Sequence, residues 1–423
     1  MWSAIKRHPL AQTLVTLRGN PRACVFTEPL WGISFNLYTP FIALYMAALG
    51  LSNQQIGLLA TINMGVQIVA AAVSGPLADK YGRRLMTFVA DLTAWAVPCL
   101  VFALSQNFIW FVAATVLAGT GSIVNNAWQL LLVEDCDQEL LVPVYTLITI
   151  SGLLAVLFAP ISTLLITSYS LVPVMRGLYV FASVMMAVKC SILYRFSTET
   201  VHGKLRMEET RHTSILRLTF QLKNTFEKMI RNPATFPVMA MFILFNISGV
   251  VSGNFFSLFA TRSLHIPSQY MAFFPMIRSV VMFAFLVGLQ HVFMRYHFHK
   301  PMLLGLSLYI LATLALILPW AGGWARTVLY TLLEAFAFSI VSPRKDSLIV
   351  IFIEKQERAR IMGLLYVFTM LVSAPFGWIA GVLAARNQGY PFLLNLCVFA
   401  LFIALVTATR KLIRPDAHGR EEA

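Results

Sequence analysis

Three ionisable residues stand out by position: Glu28, Arg278 and Glu334 each lie inside a long apolar stretch. Burying such a side chain deep in an apolar span is costly, so it is expected to face a polar cavity or a partner. The chemistry open to these groups is binding and exchange. A carboxylate whose basic partner can leave is able to take up and release a proton, and an arginine can grip an anion. Arg278 and Glu334 are expected near each other or near a shared ligand, as a switching pair or as a static bridge. Glu28 is followed by Pro29 and, two turns on, by Asn36. It is open to the roles of proton carrier, ligand for a cationic substrate, or gate partner, and equally to a plain ion pair with a nearby base.

Neutral amides accompany these charges: Asn63 and Gln67, then Asn125, Asn126 and Gln129, then Asn246 and Asn254. Asn126 and Gln129 are three apart, hence on one helix face, with Trp128 adjacent. Singly, each amide suits a hydrogen bond between helices; as a set they suggest a wet cavity. No catalytic constellation joins them. His297 and His299 flank one phenylalanine without further metal ligands, and no phosphate-cradling Gly-rich loop with Lys-Ser/Thr occurs. No enzyme activity, cofactor, metal or ATP-driven pumping is expected.

The elements that must position these residues follow from composition. Of 423 residues, 58% are hydrophobic and 12% charged, where a soluble domain carries about 25% charge. Most of the surface must therefore face lipid. A bilayer crossing takes about 20 mostly apolar residues. On that scale the spans are 23–49, 53–78, 85–105, 108–133, 141–167 and 172–194, then 234–261, 269–294, 301–320, 325–352, 361–385 and 390–410. The net charge of +14 is unevenly placed: 24 of 32 Lys and Arg residues fall in the termini and in alternate loops. That bias assigns those loops and both termini to the cytoplasm. It makes the bilayer the charged partner and excludes nucleic acid. The first 20 residues are basic, with no apolar core for a cleavable signal. Five cysteines show no paired spacing and are expected reduced.

The longest polar stretch, 196–232, divides the spans six and six. Within it Leu216, Phe220, Leu222 and Phe226 suit a short amphipathic helix. The expected domains are a cytoplasmic segment 1–22, a bundle 23–195, the linker 196–232, a second bundle 233–410 and a tail 411–423. An echo supports the division, because Ala159-Pro160 in the fifth span matches Ala374-Pro375 in the eleventh. Proline bends membrane helices and small residues let them approach closely.

Between the second and third spans runs Gly75-Pro76-Leu77-Ala78-Asp79-Lys80-Tyr81-Gly82-Arg83-Arg84. Physically it is a tight turn, with Gly75 permitting close approach, Gly82 free to take positive φ, and Asp79, Arg83 and Arg84 clustered at the membrane edge. The string resembles the loop signature of the major facilitator superfamily, Gly-x-x-x-Asp-x-x-Gly-Arg-Arg/Lys, at every defining position. The resemblance implies an all-α membrane protein of twelve transmembrane helices in two pseudosymmetric six-helix bundles that rock about a central site. It also implies that helices one, four, seven and ten line the cavity, and that the loop aspartate and arginine latch the halves when the cavity faces outward. Carried over, Asp79 would sit at the amino end of the eleventh helix, favoured by the helix dipole, with Arg83 completing the latch.

Some positions depart from the family pattern. The equivalent loop of the second half, GLQHVFMRYHFHKP, keeps Gly288, Arg295 and Lys300 without an acidic residue. The fourth span has Gly119 and Gly121 but lacks the arginine of many proton-coupled drug exporters, and the fifth reads Ala159-Pro160-Ile161-Ser162 where an antiporter carries Gly-Pro and glycines. Arg344, Lys345 and Asp346, after Pro343, are candidates for a gate or for snorkelling to the interface. Lys189 is expected to snorkel, Asp91 to support the nearby turn, and Glu134, Asp135 and Asp137 to face the basic linker.

The resemblance implies a secondary transporter of a small molecule in the cell membrane, with protons a plausible coupling ion and the chain expected as a monomer. Export of amphipathic compounds is the leading reading. Uptake of an anionic metabolite, motivated by Arg278, is its rival. A lipid flippase or scramblase and a non-transporting sensor are the readings from other classes.

Overall fold

The computed structural model describes residues 9–211, 235–289, 293, 299–352 and 358–409. Their regular elements are all helical. After a short helix Pro9–Thr16 come α1 (residues 19–48), α2 (Asn53–Tyr81), α3 (Arg83–Leu104), α4 (Phe108–Val133), α5 (138–169) and α6 (Leu171–Phe196). A linker helix, Val201–Thr210, follows. The second half comprises α7 (Thr235–Arg262), α8 (268–288), α9 (His299–Ile317), α10 (Gly323–Phe352), α11 (358–386) and α12 (Tyr390–Ala408). Ten of these are individually long and apolar enough to cross a membrane. The other two, α1 and α8, each contain a 3₁₀ turn (Thr39–Phe41 and Ser268–Ala272) and complete the twelve by helical continuity. The amphipathic stretch expected around Leu216 to Phe226 lies outside the described residues.

Local chemistry sets the helix ends and breaks. Ser52 and Gln55 form a reciprocal capping box at the start of α2. The Asn107 side chain accepts from the backbone of Ile109 and Trp110 to cap α4. Proline removes a backbone donor; Pro29, Pro76, Pro143 and Pro343 sit within continuous helices, but the helix adjusts at three others. α5 breaks before Pro160, α11 breaks at Ala374 before Pro375, and α3 widens into a π-turn at Leu92–Ala96 just before Pro98. The echo between the fifth and eleventh spans is thus an echo in backbone shape.

The α2–α3 turn at Gly82 defines a motif face of the molecule; the α1–α2 turn at Gly50 lies on the far face. The two halves meet in a far-face seam. Asn53 donates to Ala384 O at 3.1 Å, and Arg262 reaches Asn53 at 2.9 Å. Thr163 donates to Gln269 O, joining α5 to α8. Thr61 inserts into the α11 break, donating to Ala374 O at 2.7 Å and accepting from Trp378 N at 2.9 Å. Glycines allow this approach: a Cβ on Gly57 would lie 2.4 Å from Gly377 O. Among the described residues, the hydrogen bonds that cross between halves all lie in this seam.

Candidate functional site

The motif turn is a knot inside the first half. Gly82 has φ of 87°, and a Cβ there would meet the Glu199 carboxylate. That carboxylate accepts from the backbone N–H of Arg83 at 2.9 Å and of Arg84 at 3.0 Å, an anion set on the amino end of α3. Arg83 is fully buried and satisfied by Glu134, Asp79 and Ala78 O. Arg84 donates to Tyr194 O and lies over the Tyr194 ring. Gly75 makes no close approach, since a Cβ there would be in ordinary contact with Asn126.

Among the described residues, Asp79 has no partner in the second half. Its carboxylate pairs with Arg83 at 3.0 Å and with Arg206 of the linker helix at 2.9 Å, and its carbonyl accepts from Thr210. The hydrogen bond to Asp79 holds the Arg206 guanidinium above its ordinary pKa. The acidic loop does meet the linker: Glu134 accepts from Thr200, and Asp135 from Asn20 and Val201 N. Among the described residues, the linker helix therefore supplies the partner for Asp79 that was expected from the eleventh helix.

A second charged group is sealed within the first half. Lys189 does not snorkel; it meets Asp91 at 2.7 Å, the two side chains being 5% and 1% exposed. Asp91 therefore partners α6 and does not brace the turn. Glu28 is half-buried within electrostatic reach of this pair and makes no hydrogen bond or ion pair among the described residues. It is not part of the cavity lining.

Between the halves lies a cavity of about 880 Å³. Aromatic and methionine side chains form much of its apolar wall, among them Phe35, Trp95, Phe256, Met64 and Met370. Phe35 and Trp95 meet edge to face at 5.8 Å, each also against Trp31. The π-turn of α3 carries Trp95 to this position, which the periodicity of an uninterrupted helix does not reveal.

Arg278 and Glu334 are the charged residues of the lining. Arg278 Nε donates to Glu334 at 2.7 Å and Nη2 at 3.3 Å, with the side chains 35% and 17% exposed. The guanidinium lies 4.3 Å over the Phe338 ring. Glu334 is eleven residues into α10 from Gly323, roughly 16 Å along the axis and so near mid-membrane.

The amides divide. Asn36, Asn63, Gln67, Asn125, Asn246 and Asn254 line the cavity. Asn126 turns instead to α2, donating to Ser74 at 3.1 Å, while Gln129 is exposed on α4 outside the lining. Asn36 donates to Gly32 O, and the buried Asn246 Oδ1 has no hydrogen-bond partner among the described residues. Of the candidate gate, Arg344 is tied to Ile340 O and Phe293 O. Lys345 is buried behind the cavity wall, over the rings of Phe242 at 3.6 Å and Phe245 at 5.3 Å. The Asp346 side chain lies outside the described residues.

Residues 30–343 match the family profile of the Major Facilitator Superfamily. The multi-drug resistance efflux pump PmrA of Streptococcus pneumoniae is 32% identical over 124 residues, 28% of this chain and 31% of that protein. The multidrug resistance protein MdtG of Citrobacter koseri is 30% identical over 190 residues, 43% of this chain and 45% of that protein. The nitrate/nitrite transporter NrtP of Picosynechococcus is 37% identical over 82 residues, 19% of this chain and 15% of that protein. These matches span less than half the length of the curated relatives. In fold, the nucleoside transporter NupG superposes with a TM-score of 0.70 at 13% identity, covering 94% of this chain and 99% of that one. The human organic anion transporter MFSD10 superposes at 0.62 and 18% identity, covering 95% and 100%. With a profile match across most of its length, the loop signature at 75–84 and two six-helix halves around a cavity, the chain belongs to the Major Facilitator Superfamily.

Proposed function

We propose that this protein exports amphipathic compounds across the cell membrane by alternating access, with protons as the coupling ion. The observation that carries this reading is the cavity between the halves. At about 880 Å³ it is drug-sized and aromatic-walled, and its described lining holds one ion pair. Methionine and aromatic walls adapt to varied apolar bodies, and efflux pumps are among the relatives with similar sequence. By the positive-inside rule the motif face is cytoplasmic and both termini lie inside. A far-face seam then makes this the state shut to the exterior, the one in which an exporter loads. Glu334, the carboxylate of the lining, is the group on which a proton would ride, and Arg278 is the partner it exchanges for that proton.

The test is flux. The purified protein in proteoliposomes, given an imposed pH gradient, should move a set of aromatic amphiphiles against their concentration gradient, and Glu334→Gln should uncouple movement from pH. Flux of no amphiphile under any gradient would sink the reading.

A further inference from the structure

We propose that the amphipathic substrates of this cavity are acids, and that their oxyanion docks on the free edge of Arg278. This rests on the transport reading above and names its substrate class.

A guanidinium carries five N–H donors in one plane. Glu334 takes two of them, one on Nε and one on Nη2. The remaining three, two on Nη1 and one on Nη2, meet no acceptor among the described residues. Arg278 is nevertheless one-third exposed and part of the cavity wall. Its ring partner Phe338 covers one face of the guanidinium, which leaves the edge opposite Nε to a ligand. That edge suits a planar, two-oxygen acceptor, the geometry of a carboxylate or sulfonate.

Charge points the same way. A head group on the free edge sits at about half the distance from the guanidinium centre that it does from Glu334. Attraction therefore exceeds repulsion about twofold in a uniform medium. A cationic head on the spare lone pairs of Glu334 would stand beside the guanidinium that both its oxygens face, and would be repelled by it. Phe338 also holds Arg278 independently of Glu334, so the anion site persists if Glu334 becomes neutral. The apolar body of such an acid lies against the aromatic wall, where Phe245 and Phe338 adjoin at 5.8 Å.

The experiment compares three probes with one aromatic body in the reconstituted full chain: naphthylacetate, naphthylacetamide and naphthylethylamine. Binding is read by tryptophan fluorescence and flux by vesicle counting. The acid should bind about tenfold or more tightly than the amide and the amine. Arg278→Gln should reduce acid affinity to that of the amide, while Arg278→Lys retains part of the preference. Glu334→Gln should tighten acid binding by removing the opposing charge, and it decides the matter if Arg278→Gln fails to fold. Equal binding of acid and amide with flux intact overturns the head-group assignment and leaves the transport reading standing. A preference for the amine, or weaker acid binding in Glu334→Gln, also overturns it. Acid-selective binding without flux of any probe supports the assignment and overturns the transport reading. Binding of none overturns both.

Discussion

Two ion pairs inside the membrane have the same 2.7 Å contact and opposite settings. Lys189–Asp91 is sealed between α6 and α3, with side chains 5% and 1% exposed. Arg278–Glu334 joins α8 to α10 on a cavity wall, with side chains 35% and 17% exposed. Contact distance therefore says nothing about their roles; enclosure does. A sealed pair cannot exchange partners without opening the bundle, so it acts as a structural rivet. A pair on a cavity can trade one partner for a ligand or proton at little cost.

The comparison breaks most sharply at Lys189. Lys189→Met leaves the Asp91 carboxylate buried and unpaired, which should destabilise the protein by about 3–5 kcal/mol. Thermal unfolding in detergent would read this as a large fall in melting temperature. Pairing Lys189→Met with Asp91→Leu should recover most of the loss, because the isolated charge is gone. If the double variant melts as low as the single one, the sealed pair is not a rivet.

Arg83 sits between the extremes. It is buried, but its carboxylate partners Glu134 and Asp79 keep 11% and 23% exposure and other donors, Thr200 and Arg206. Arg83→Gln should cost about 2 kcal/mol, the worth of hydrogen bonds to charged groups, measured by the same melting assay. A loss equal to that of Lys189→Met would show that burial of the cation alone sets the scale, whatever its partners keep.

Arg278→Gln should cost stability about 1 kcal/mol or less, since Glu334 is left on a wall that water can reach. Melting temperature checks the stability and acid binding checks the function. A fall as large as that of Lys189→Met would erase the distinction between rivet and exchange site.

Much of this was legible in sequence, for identifiable reasons. The all-helical membrane fold, the Pro160 and Pro375 breaks and the turn at Gly82 follow from local properties: hydropathy, a missing donor and a positive φ. The depth of Arg278 and Glu334 follows from counting residues along each helix. What could not be read depends on which helices adjoin and on rotation about their axes. Lys189 pairs with Asp91 only because α6 lies against α3. Asn125 faces the cavity and Asn126 faces Ser74, a difference of 100° in phase that no composition of the run Asn125 to Gln129 discloses. Glu28 lies beside the rivet and away from the cavity for the same reason. Thr61 shows the limit from the other side: nothing marks it out until the Ala374 carbonyl and the Trp378 N–H at the α11 break are placed opposite it. Asp79 was assigned a latch on the second half, but its partners among the described residues are Arg83 and Arg206, a pairing set by where the linker helix packs.

The smallest effect, and the finest test of the comparison, belongs to a pair outside both the bundle and the cavity. Arg206 and Asp79 are 34% and 23% exposed at the membrane edge, and Arg206 is shared with Glu209 at 2.7 Å. Solvent screens such a pair, so a double-mutant cycle with Arg206→Gln and Asp79→Asn should give a coupling of about 0.5 kcal/mol. Raising salt to about 1 M should remove it, because the screening length there is about 3 Å. The Lys189–Asp91 cycle under the same salt should not move. Under the proposed rocking motion the weakness has a use. Asp79 must leave Arg206 to reach α11 when the far face opens, and a bond this weak sets only a low barrier to that exchange. A salt-insensitive coupling of several kcal/mol would instead make the linker helix a fixed part of the first half, and the latch could not form without unfolding it.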